Sequence, residues 1–580
     1  MKTVQGVKYR WLLPEKDRHD AAVFAADYNF SFPVLQTLMN RGFVTKESVE
    51  QFLFTPQESS VADAKLLKDA QKAVDRILFA IKNQEKILIA GDYDVDGITA
   101  TSLMMICLTP LGARVNFFLP HRVYDGYGLS VKTVTRAADN DYGLIITVDN
   151  GITAFEAVDE ARKRGVHVII TDHHRPHEKV PEAYAIVNPN QPGCDYPHKT
   201  LAGVGVAFKV ISLLYEIMGK AVPEKVYELL LFGTIADVVP LLGENRYWVR
   251  YGLQKINTLD AHALEATAIR VLKENAQMTK SVLSSLDIGF GLAPQINALG
   301  RLEDPRQGVK FLVGEDVSET ERVGKVLYEL NQARKAIEKT VTAEIEQKIL
   351  SGAIDLDKEL IIMATSDSWP TGVIGLVAGR LMNQYGRPVM LFHTSGATAK
   401  GSCRSIKAFN MFEALQEEHE LLNQFGGHSV AAGLSLPIEN IPLLKERLEK
   451  RIRETVAPED LQQKISLDAE LSLQETNQKL VTDLHYLEPF GCENAKPTFY
   501  VKGVTLLGEP TLLKDVHVKC SVFAQGIIKP VIFFNSPQVY DFLMKHGAEP
   551  FDLAVQVTEN EWRGKVSIEF QGVDIAVGAA

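Results

Sequence analysis

The chain has 580 residues, of which 46% are hydrophobic, and it carries a formal net charge of −11. That length exceeds what one core organises and predicts about three or four domains, while the acidic balance excludes a general basic field that would draw the whole chain to nucleic acid. A nucleic-acid partner needs only a local basic groove, and an acidic metal site inflates the formal charge until cations bind. The sequence contains no run of about 18 apolar residues, so no membrane-spanning helix is predicted. The five scattered cysteines form no CxxC pair and the N-terminus lacks an apolar signal segment, which favours a cytoplasmic location.

The first half of the chain indicates an α/β region. Residues 1–60 indicate short helices, and residues 61–313 alternate short apolar runs with helical stretches such as Thr99–Leu108 and Ala154–Arg164. This βαβ rhythm predicts a doubly wound parallel sheet, in which ligands lie beyond the carboxyl ends of the strands. The predicted strands are Lys86–Ala90, Arg114–Leu119, Leu144–Val148, Val166–Thr171 and Tyr184–Val187.

Three further regions follow. Residues 314–350 carry dense charge, apolar residues at i, i+3 and i+4 spacing and no proline, which predicts one long connecting helix. Residues 351–460 return to α/β alternation and predict a second α/β domain. Residues 461–580 are rich in short strands with Gly and Pro turns, which predicts a small β-barrel.

Three aspartates follow the first predicted strand, in the segment GDYDVDG. If the chain is still extended there, Asp92, Asp94 and Asp96 point to one side. Such a carboxylate cluster without nearby Lys or Arg is costly unless cations neutralise it. The alternative is a solvated acidic turn with Gly97 at positive φ. An EF-hand is excluded, because no glutamate follows at the required spacing and an apolar helix comes next.

Two more strands and one apolar stretch end on metal-ligand side chains. Asp149 follows LIITV directly, and Asp172, His173 and His174 follow VIIT. An aspartate there could simply cap the next helix, and a single histidine is more often structural. Two adjacent histidines behind an aspartate suit a divalent metal such as Mn²⁺. Asp237 ends the stretch in GTIADVVPL, where a buried charge needs a partner or a metal.

Mixed carboxylate and imidazole ligands fit two metals held a few ångströms apart. That arrangement activates water and stabilises both oxygens of an in-line phosphoryl displacement. A zinc-only site is disfavoured, because carboxylates dominate and no thiolate takes part. The strand ends therefore predict a two-metal site for phosphoryl chemistry.

The motifs GDYDVDG, TVDNG, TDHH and GTIADVVPL resemble, in order and spacing, those of the DHH phosphoesterase superfamily. Five further segments are similar to the RecJ family of single-strand-specific exonucleases within it, namely LAGVGVAFK, APQINALGR, WPTGVIGLVAGR, GSCRS and FGGHSVAAGLSL. The resemblance runs from about residue 86 to the C-terminus. It implies a DHH-type catalytic domain, a DHHA1-like substrate-binding domain at 351–460 and an OB-fold single-strand-binding domain at 461–580.

The resemblance also implies a role for each residue of the strand-end motifs. It makes Asp149 the carboxylate that bridges two divalent cations, Mn²⁺ or Mg²⁺, and places His174 against the scissile phosphate. Asp92 and Asp172 support the ligands from behind, Asp172 by orienting the histidine pair. The implied ligands are Asp94 for the first cation, Asp96, His173 and Asp237 for the second, and Asp149 for both. These five and His174 form the implied catalytic set.

A second group of residues is implied to hold the substrate phosphate. Asn297 and Arg301 lie on a predicted loop punctuated by Gly and Pro, and arginine suits bidentate phosphate contacts. Ser402 and Arg404 follow a predicted strand, and the glycines before His428 predict a backbone nest for an anion. The plainer alternatives are a surface arginine, a turn and a packed histidine. The implied set, which resembles the family's pocket for a 5′-terminal phosphate, is His174, Asn297, Arg301, Ser402, Arg404, Gly426, Gly427 and His428.

The C-terminal strands resemble an OB-fold, which binds single strands through a basic groove and stacking aromatics. The alternative is that some of its polar residues are ordinary barrel residues. The candidates for strand contacts are His517, Lys519, Trp562, Arg563 and Lys565.

Taken together, the resemblance implies a metal-dependent 5′→3′ exonuclease that hydrolyses single-stranded DNA to 5′-mononucleotides in DNA repair and recombination. Its implied partners are a single strand with a 5′ end, a helicase and a single-strand-binding protein, and a monomer is expected. One alternative is another DHH enzyme, such as a pyrophosphatase, nanoRNase or cyclic-dinucleotide phosphodiesterase, although those lack the long helix and the barrel. The other is an inactive DNA-binding scaffold, which would be expected to have lost metal ligands.

Overall fold

The computed structural model of the chain describes residues 2–15, 28–122, 124–260, 267–314, 316–546, 549–562 and 565–578. The chain divides into two compact units. One comprises Glu50–Arg334 and Glu488–Ala495, and the other comprises Met1–Val49, Lys335–Leu487 and Lys496–Ala580. Within the described ranges, no helix combines the length and the apolarity that a membrane span requires.

The long helix predicted over 314–350 is confirmed as α16 (Val317–Leu350). The helices before it are α1 (Phe32–Asn40), α2 (Lys46–Phe54), α3 (Gln57–Ser60), α4 (Ala70–Lys82), α5 (Val95–Leu108), α6 (Val131–Asp139), α7 (Phe155–Lys163), α8 (Gly203–Ile217), α9 (Lys225–Ala236), α10 (Gly243–Thr258), α11 (Thr267–Asn275), α12 (Ser285–Asp287), α13 (Ala293–Asn297), α14 (Leu299–Leu302) and α15 (Arg306–Val313), with a π-helical turn at Ile288–Leu292. The helices after it are α17 (Thr371–Tyr385), α18 (Met411–Glu417), α19 (Ile441–Thr455), α20 (Gln478–His485) and α21 (Pro537–His546).

The strands of the described residues fall into four sheets. Those up to residue 187 are β1 (Thr3–Gln5), β2 (Arg10–Leu12), β3 (Lys86–Ala90), β4 (Arg114–Phe118), β5 (Tyr142–Val148), β6 (His167–Thr171) and β7 (Ala185–Val187). The later ones are β8 (Ile362–Ser366), β9 (Val389–Ser395), β10 (Thr398–Arg404), β11 (Gln424–His428), β12 (Ala431–Pro437), β13 (Lys464–Ser466), β14 (Ala469–Glu470), β15 (Phe499–Leu513), β16 (His517–Ala524), β17 (Ile527–Phe533), β18 (Phe551–Trp562) and β19 (Lys565–Val577).

A parallel sheet of order β4-β3-β5-β6-β7 forms the centre of the unit Glu50–Arg334. One register row runs through Ile89, Ile146, Ile169 and Ala185, so neighbouring strands end close to one another. The five predicted strands and the parallel sheet are confirmed, with boundaries shifted by at most two residues.

Apolar side chains cover both faces of this sheet. Ile87 and Ile89 of β3 face one buried core, whereas Leu88 and Ala90 face a second core on the opposite side. This alternation follows from the strand period of two and explains why the strands read as continuous apolar runs. Each fully buried Leu or Ile contributes about 1.5–3 kcal/mol, so the carboxyl ends of the strands form a firm support for a site.

The second α/β region contains a mixed sheet of order β11-β12-β10-β9-β8. Its β8-α17-β9 unit is parallel, as the α/β alternation predicts, and the remaining neighbours are antiparallel. The turn between β9 and β10 explains the change of direction, because Gly396 has a φ of +58° and two-residue hairpin turns favour glycine at positive φ.

The predicted C-terminal barrel is confirmed. Strands β15, β16, β17, β19 and β18 pair in that order, and β18 pairs back onto β15, which closes the barrel. Strand β14 adds to β15 in parallel.

The N-terminal segment matches its prediction in part, because the short helices α1, α2 and α3 form but the first residues are strands. Strands β1 and β2 pair antiparallel and β13 pairs with β2, so residues 1–60 are not helical throughout. The helical expectation is wrong here because burial alternates along β2, the period of a strand. The alternation buries Trp11 completely, and its Nε1 donates to Asp574 Oδ2 at 2.8 Å.

Candidate metal centre

The carboxyl ends of three neighbouring strands deliver acidic and imidazole side chains to one place. The chain leaves β3 toward Asp92, β5 toward Asp149 and β6 toward Asp172. Because β3, β5 and β6 are adjacent and parallel, these residues meet at the same edge of the sheet. The structure therefore brings the predicted strand-end residues together.

The segment GDYDVDG does not stay extended. Helix α5 begins at Val95, Asp94 is its N-cap, and the Gly97 N–H donates to Asp94 Oδ1 at 3.1 Å. Gly97 lies within the helix, where a Cβ would come within 2.6 Å of the Asp92 nitrogen. The expectation of three alternating aspartates on an extended strand is wrong, because an N-cap and a glycine without a side chain let the helix start inside the motif.

Asp96 points at the N-terminus of a second helix. Its Oδ2 accepts the Gly203 N–H at 2.6 Å and its Oδ1 accepts the Val204 N–H at 2.8 Å, both in the first turn of α8. Burial and the charge of Asp94 raise the pKa of Asp96 to about 7, although the two backbone donors oppose that rise. The helix end orients this carboxylate, and each oxygen keeps a further lone pair for a cation.

Asp149 occupies a strained position at the end of β5. Its φ is +61°, and its N–H donates to the Thr171 carbonyl at 3.0 Å. Asn150 fixes the turn, since its Nδ2 donates to the carbonyls of Ala90 at 3.0 Å and Val148 at 2.9 Å. Left-handed backbone at a residue other than glycine costs about 1–3 kcal/mol and concentrates at functional sites.

Helix α8 leaves no room for a side chain next to Asp149. A Cβ on Gly203 would lie 2.5 Å from Asp149 Cβ and 2.6 Å from its Oδ1. Gly203 therefore serves the centre twice, because it makes space for Asp149 and donates its N–H to Asp96.

Asp172 organises the histidine pair. Its Oδ1 accepts the N–H groups of His173 at 2.7 Å and His174 at 3.1 Å, and it lies 2.8 Å from His174 Nδ1. Its Oδ2 accepts the Ile152 N–H at 2.9 Å. Burial acts to raise the pKa of Asp172, but these donors and the two imidazoles lower it below its usual value. Asp172 is thus placed to orient the ring of His174.

His173 links the ends of β5, β6 and α9. Its Nε2 lies 3.2 Å from Asp149 Oδ1 and 3.6 Å from Asp237 Oδ2, and Asp237 is the C-cap residue of α9. Burial, together with the neighbouring His174, lowers the pKa of His173 to about 4. The ring is therefore neutral near pH 7, which is the form that binds a metal.

Within the described ranges, three sets of side chains each offer ligand atoms that all lie within 4.8 Å of one another. Burial and the neighbouring carboxylates raise the pKa values of Asp92, Asp149 and Asp237 well above the usual range. One oxygen of each of these aspartates, and His173 Nε2, is buried without a hydrogen-bond donor or acceptor among the described residues. Buried carboxylates in this state fit divalent cations, which would neutralise the charge and complete the contacts. The three sets are Asp149, His173 and His174; Asp96, His173 and Asp237; and Asp92, Asp94 and Asp149.

The first phosphate candidates lie on helices and not on a loop. Asn297 is the last residue of α13 and Arg301 lies in α14, so the loop expectation is wrong. Pro294 stands at the start of α13, where proline is compatible with a helix. Gly300 packs so closely on the motif after β3 that a Cβ would come within 2.0 Å of the Tyr93 carbonyl oxygen. That contact brings Arg301 beside the acidic motif.

The other phosphate candidates lie in the mixed sheet of the second unit. Ser402 and Arg404 come after the strand β9, as predicted, but they lie in a further strand, β10, and Gly426–His428 ends β11. This glycine segment is a strand and not a loop, because residues 424–428 pair with β12, with Gly427 at a φ of +139°; an anion site there stays a prediction. Two adjacent glycines favour a loop locally, but the pairing of this strand depends on residues that are distant in sequence.

Strand register aligns these two motifs across β12. Ser402 and Gly426 both oppose Gly433, and Arg404 and His428 both oppose Ala431. The Arg404 guanidinium donates to the Cys403 carbonyl at 2.7 Å. The structure therefore brings GSCRS and FGGH together on adjacent rows, and it places both in a different unit from Asn297 and Arg301.

Sequence reasoning missed several residues that frame the centre. Tyr127 donates its O–H to the Asp149 carbonyl at 3.3 Å, and Arg122 donates to the Gly300 carbonyl at 3.0 Å while lying 4.0 Å from the Tyr93 ring centroid. The available signal was position, because HRVYDGYGL follows the carboxyl end of β4.

The segment after β7 holds the histidine pair from the other side. Asn188 Nδ2 donates to the His174 carbonyl at 2.9 Å and Asn190 Nδ2 donates to the His173 carbonyl at 2.7 Å. The same positional signal, NPN directly after a predicted strand, could have found them.

The barrel candidates fall on β16 and at the hairpin of β18 and β19. Lys519 is exposed between buried neighbours, and His517 Nδ1 accepts the Asn535 N–H at 3.0 Å. Trp562 ends β18 and pairs with Lys565, and Arg563 lies outside the described residues. Contacts of these residues with a nucleic acid stay a prediction.

Comparison with protein families gives three matches along the chain. Residues 86–234 match the DHH family N-terminal domain, residues 357–454 match the DHHA1 domain, and residues 467–574 match the RecJ OB domain. The matches follow the order of the parallel sheet, the mixed sheet and the barrel.

Relatives resemble the chain over most of its length. The single-stranded-DNA-specific exonuclease RecJ of Bacillus subtilis is 34% identical over 98% of this chain and 71% of that protein. RecJ of Escherichia coli is 33% identical over 87% of this chain and 89% of that protein. The crystal structure of RecJ from Thermus thermophilus in complex with Mn²⁺ superposes on this chain with a TM-score of 0.82. The two are 27% identical, and the match covers 98% of this chain and 80% of that one. The chain belongs to the RecJ family of single-stranded-DNA-specific exonucleases.

Proposed function

We propose that this chain is an exonuclease that removes 5′-mononucleotides from the 5′ end of single-stranded DNA with Mn²⁺ or Mg²⁺ as cofactor. The observation that supports this proposal most strongly is that aspartate and histidine ligand atoms converge at one edge of the parallel sheet. In each set these atoms lie within 4.8 Å of one another. The single-stranded substrate is supported by the relatives, which are named as exonucleases specific for it.

Five side chains would hold the two cations. Asp149 belongs to two of the three ligand sets, which supports a bridging role, and His173 also belongs to two. Asp92 shares a set with Asp149, so its position fits a direct contact with a cation as well as it fits a contact with a ligand residue. Bound divalent cations activate water and stabilise charge on the phosphoryl oxygens during an in-line displacement. The proposed ligands are Asp94, Asp96, Asp149, His173 and Asp237.

The protein's own donors would position the scissile phosphate. Asp172 engages His174 through Nδ1, which leaves Nε2 for a phosphate oxygen. Arg301 follows Gly300, which packs against the Tyr93 carbonyl, and Asn297 Oδ1 is buried with no hydrogen-bond donor in the part of the chain that the structure describes. An arginine guanidinium suits the charge and geometry of a phosphate.

The two rows that β10 and β11 share across β12 would hold the 5′-terminal phosphate of the DNA strand. Arg404 supplies a fixed positive charge, and Ser402 and His428 supply polar hydrogens on the same rows. The backbone at Gly426 is open to a ligand, since nothing lies within 4 Å of a Cβ at that position, whereas Gly427 packs against the Ala431 carbonyl. A bound 5′-terminal phosphate would fix the end from which cutting starts.

We also propose a cytoplasmic location, since no disulfide joins any of the five cysteines, all of which lie in the described part of the chain. A helicase and a single-strand-binding protein as partners, and a monomeric state, stay predictions.

Polarity is tested by digesting one oligonucleotide labelled at its 5′ end and the same oligonucleotide labelled at its 3′ end, each with Mn²⁺. The expected result is immediate release of the 5′ label as a mononucleotide, with the 3′ label released only when the strand is consumed. A circular strand of the same sequence should survive. Early release of the 3′ label, or cutting of the circle, would contradict the proposal.

A further inference from the structure

The catalytic sheet has an open edge at β4. Strand β4 pairs with β3 on one side, and no strand of the described residues pairs with its other side. The Phe117 N–H donates to the side chain of its own neighbour, Asn116 Oδ1, at 3.2 Å. An edge strand of this kind presents backbone donors and acceptors to which another extended chain can pair.

An open groove of about 570 Å³ runs along this edge, between β4 and α6. Apolar and aromatic side chains supply much of its lining, including Leu88, Phe118, Ala137 and Tyr142. A segment paired with β4 would place alternate side chains against this surface, because side chains alternate between the two faces of a strand.

The polar part of the groove is basic. Lys86, Arg114 and Arg136 line it, and none of the described residues that line it is Asp or Glu. Lys86 Nζ donates to the Asn140 carbonyl at 2.8 Å and lies 3.8 Å from the exposed carboxylate of Asp141, whereas neither arginine has an ion pair with a described carboxylate. Three basic side chains in one groove contrast with the net charge of −11 of the whole chain.

We propose that this groove binds an extended, acidic segment of a partner protein, which adds to the catalytic sheet as a strand beside β4. Charge complementarity selects acidic side chains, and the open edge selects a polypeptide. A peptide backbone offers both N–H donors and carbonyl acceptors to the strand, whereas a sugar–phosphate backbone offers no such alternation. A single-stranded nucleic acid in the groove is the competing outcome.

The first test uses a fluorescein-labelled peptide of alternating acidic and β-branched residues, Glu-Val-Asp-Ile-Glu-Val-Asp, and the full-length protein. Fluorescence anisotropy should show saturable binding that weakens by about tenfold or more in the double variant Arg114→Glu, Arg136→Glu, since each reversal replaces attraction by repulsion. The matched control is Arg162→Glu, an exposed arginine on α7 outside the groove, which should bind like the wild type. Exonuclease activity on a short strand should be unchanged in all variants, which shows that they are folded.

A second peptide separates strand pairing from charge attraction. Methylation of alternate backbone amides keeps every charge but removes the donors that a strand needs, so this peptide should not bind. The proposal is overturned if the acidic peptide does not bind, if the methylated peptide binds equally well, or if the double charge reversal has no effect. It is also overturned if oligothymidylate displaces the peptide from wild-type protein and binds the double variant more weakly, because the groove would then be a nucleic-acid site.

Discussion

Asp149 is constrained by its backbone conformation and by the packing of the residues around it. It follows β5 at a φ of +61°, it lies 3.2 Å from His173 Nε2, and Gly203 of α8 stands directly against it. Such a position leaves little freedom, so small changes next to Asp149 should have large effects.

Gly203→Ala should inactivate the enzyme without removing any functional side chain. The new Cβ would lie 2.5 Å from Asp149 Cβ, and the forced displacement of the carboxylate should lower kcat by about a hundredfold. Steady-state kinetics on a single strand and calorimetry with Mn²⁺ check this prediction.

Gly205→Ala is the matched control for that variant. Its Cβ would meet Leu201 Cβ at 3.5 Å, an ordinary contact. Because alanine is favoured over glycine in a helix by about 1 kcal/mol, this variant should be active and slightly more stable. Full activity of Gly203→Ala would show that the packing of α8 does not set the position of Asp149.

At the scale of elements, the mixed sheet aligns two motifs that are 20 residues or more apart in sequence. Arg404 of β10 and His428 of β11 share a row because both oppose Ala431 of β12. The proposed terminal-phosphate contact therefore depends on the register of three strands.

Arg404→Ala should reduce the preference for a 5′-phosphorylated end. Loss of a charge-assisted hydrogen bond costs about 1.5–3 kcal/mol, so the ratio of kcat/KM for 5′-phosphate over 5′-hydroxyl strands should fall about tenfold or more. Lys400→Ala, an exposed position on the same strand, is the control and should keep the ratio. An unchanged ratio in Arg404→Ala would assign the phosphate contact to other residues.

Local patterns predict some of these elements and not others. The five strands of the parallel sheet are visible because buried apolar runs alternate with helical stretches. The start of α5 at Val95 was also present in the sequence, since Asp94 is an N-cap residue ahead of an apolar run. The alternating carboxylates of the same segment favour a strand, so the local pattern alone does not separate the two structures.

Other features depend on contacts that no local pattern contains. Pro294 and Gly300 indicate a loop by composition, yet proline fits the first turn of α13 and Gly300 is needed where α14 meets the Tyr93 carbonyl. The pairing of Ser402 and Gly426 with Gly433 is likewise long-range. Such residues can be singled out from the sequence, but their neighbours cannot.

At the scale of the whole molecule, an acidic chain concentrates buried carboxylates at one edge of one sheet. Burial and mutual repulsion raise the pKa values of Asp92, Asp149 and Asp237. The cluster should therefore oppose folding of the unit that holds it until cations bind.

Mn²⁺ should accordingly stabilise the protein. At a free concentration of about 100 times Kd, one site adds about 2.7 kcal/mol to the free energy of unfolding of the unit that binds it. Differential scanning calorimetry with and without Mn²⁺ should show a higher Tm for that unit, and a chelator should reverse the shift. A Tm that is independent of Mn²⁺ would argue against a preformed cation site.

The most direct measurement compares Asp149→Asn with Asp75→Asn, which replaces an exposed carboxylate on α4. Mn²⁺ binding by calorimetry and hydrolysis of a single strand are followed in the same preparations. Asp149→Asn should lose tight Mn²⁺ binding and hydrolysis while still binding single-stranded DNA, and Asp75→Asn should match the wild type in all three. Undiminished Mn²⁺ binding and hydrolysis in Asp149→Asn would contradict a catalytic metal centre at the carboxyl ends of β3, β5 and β6.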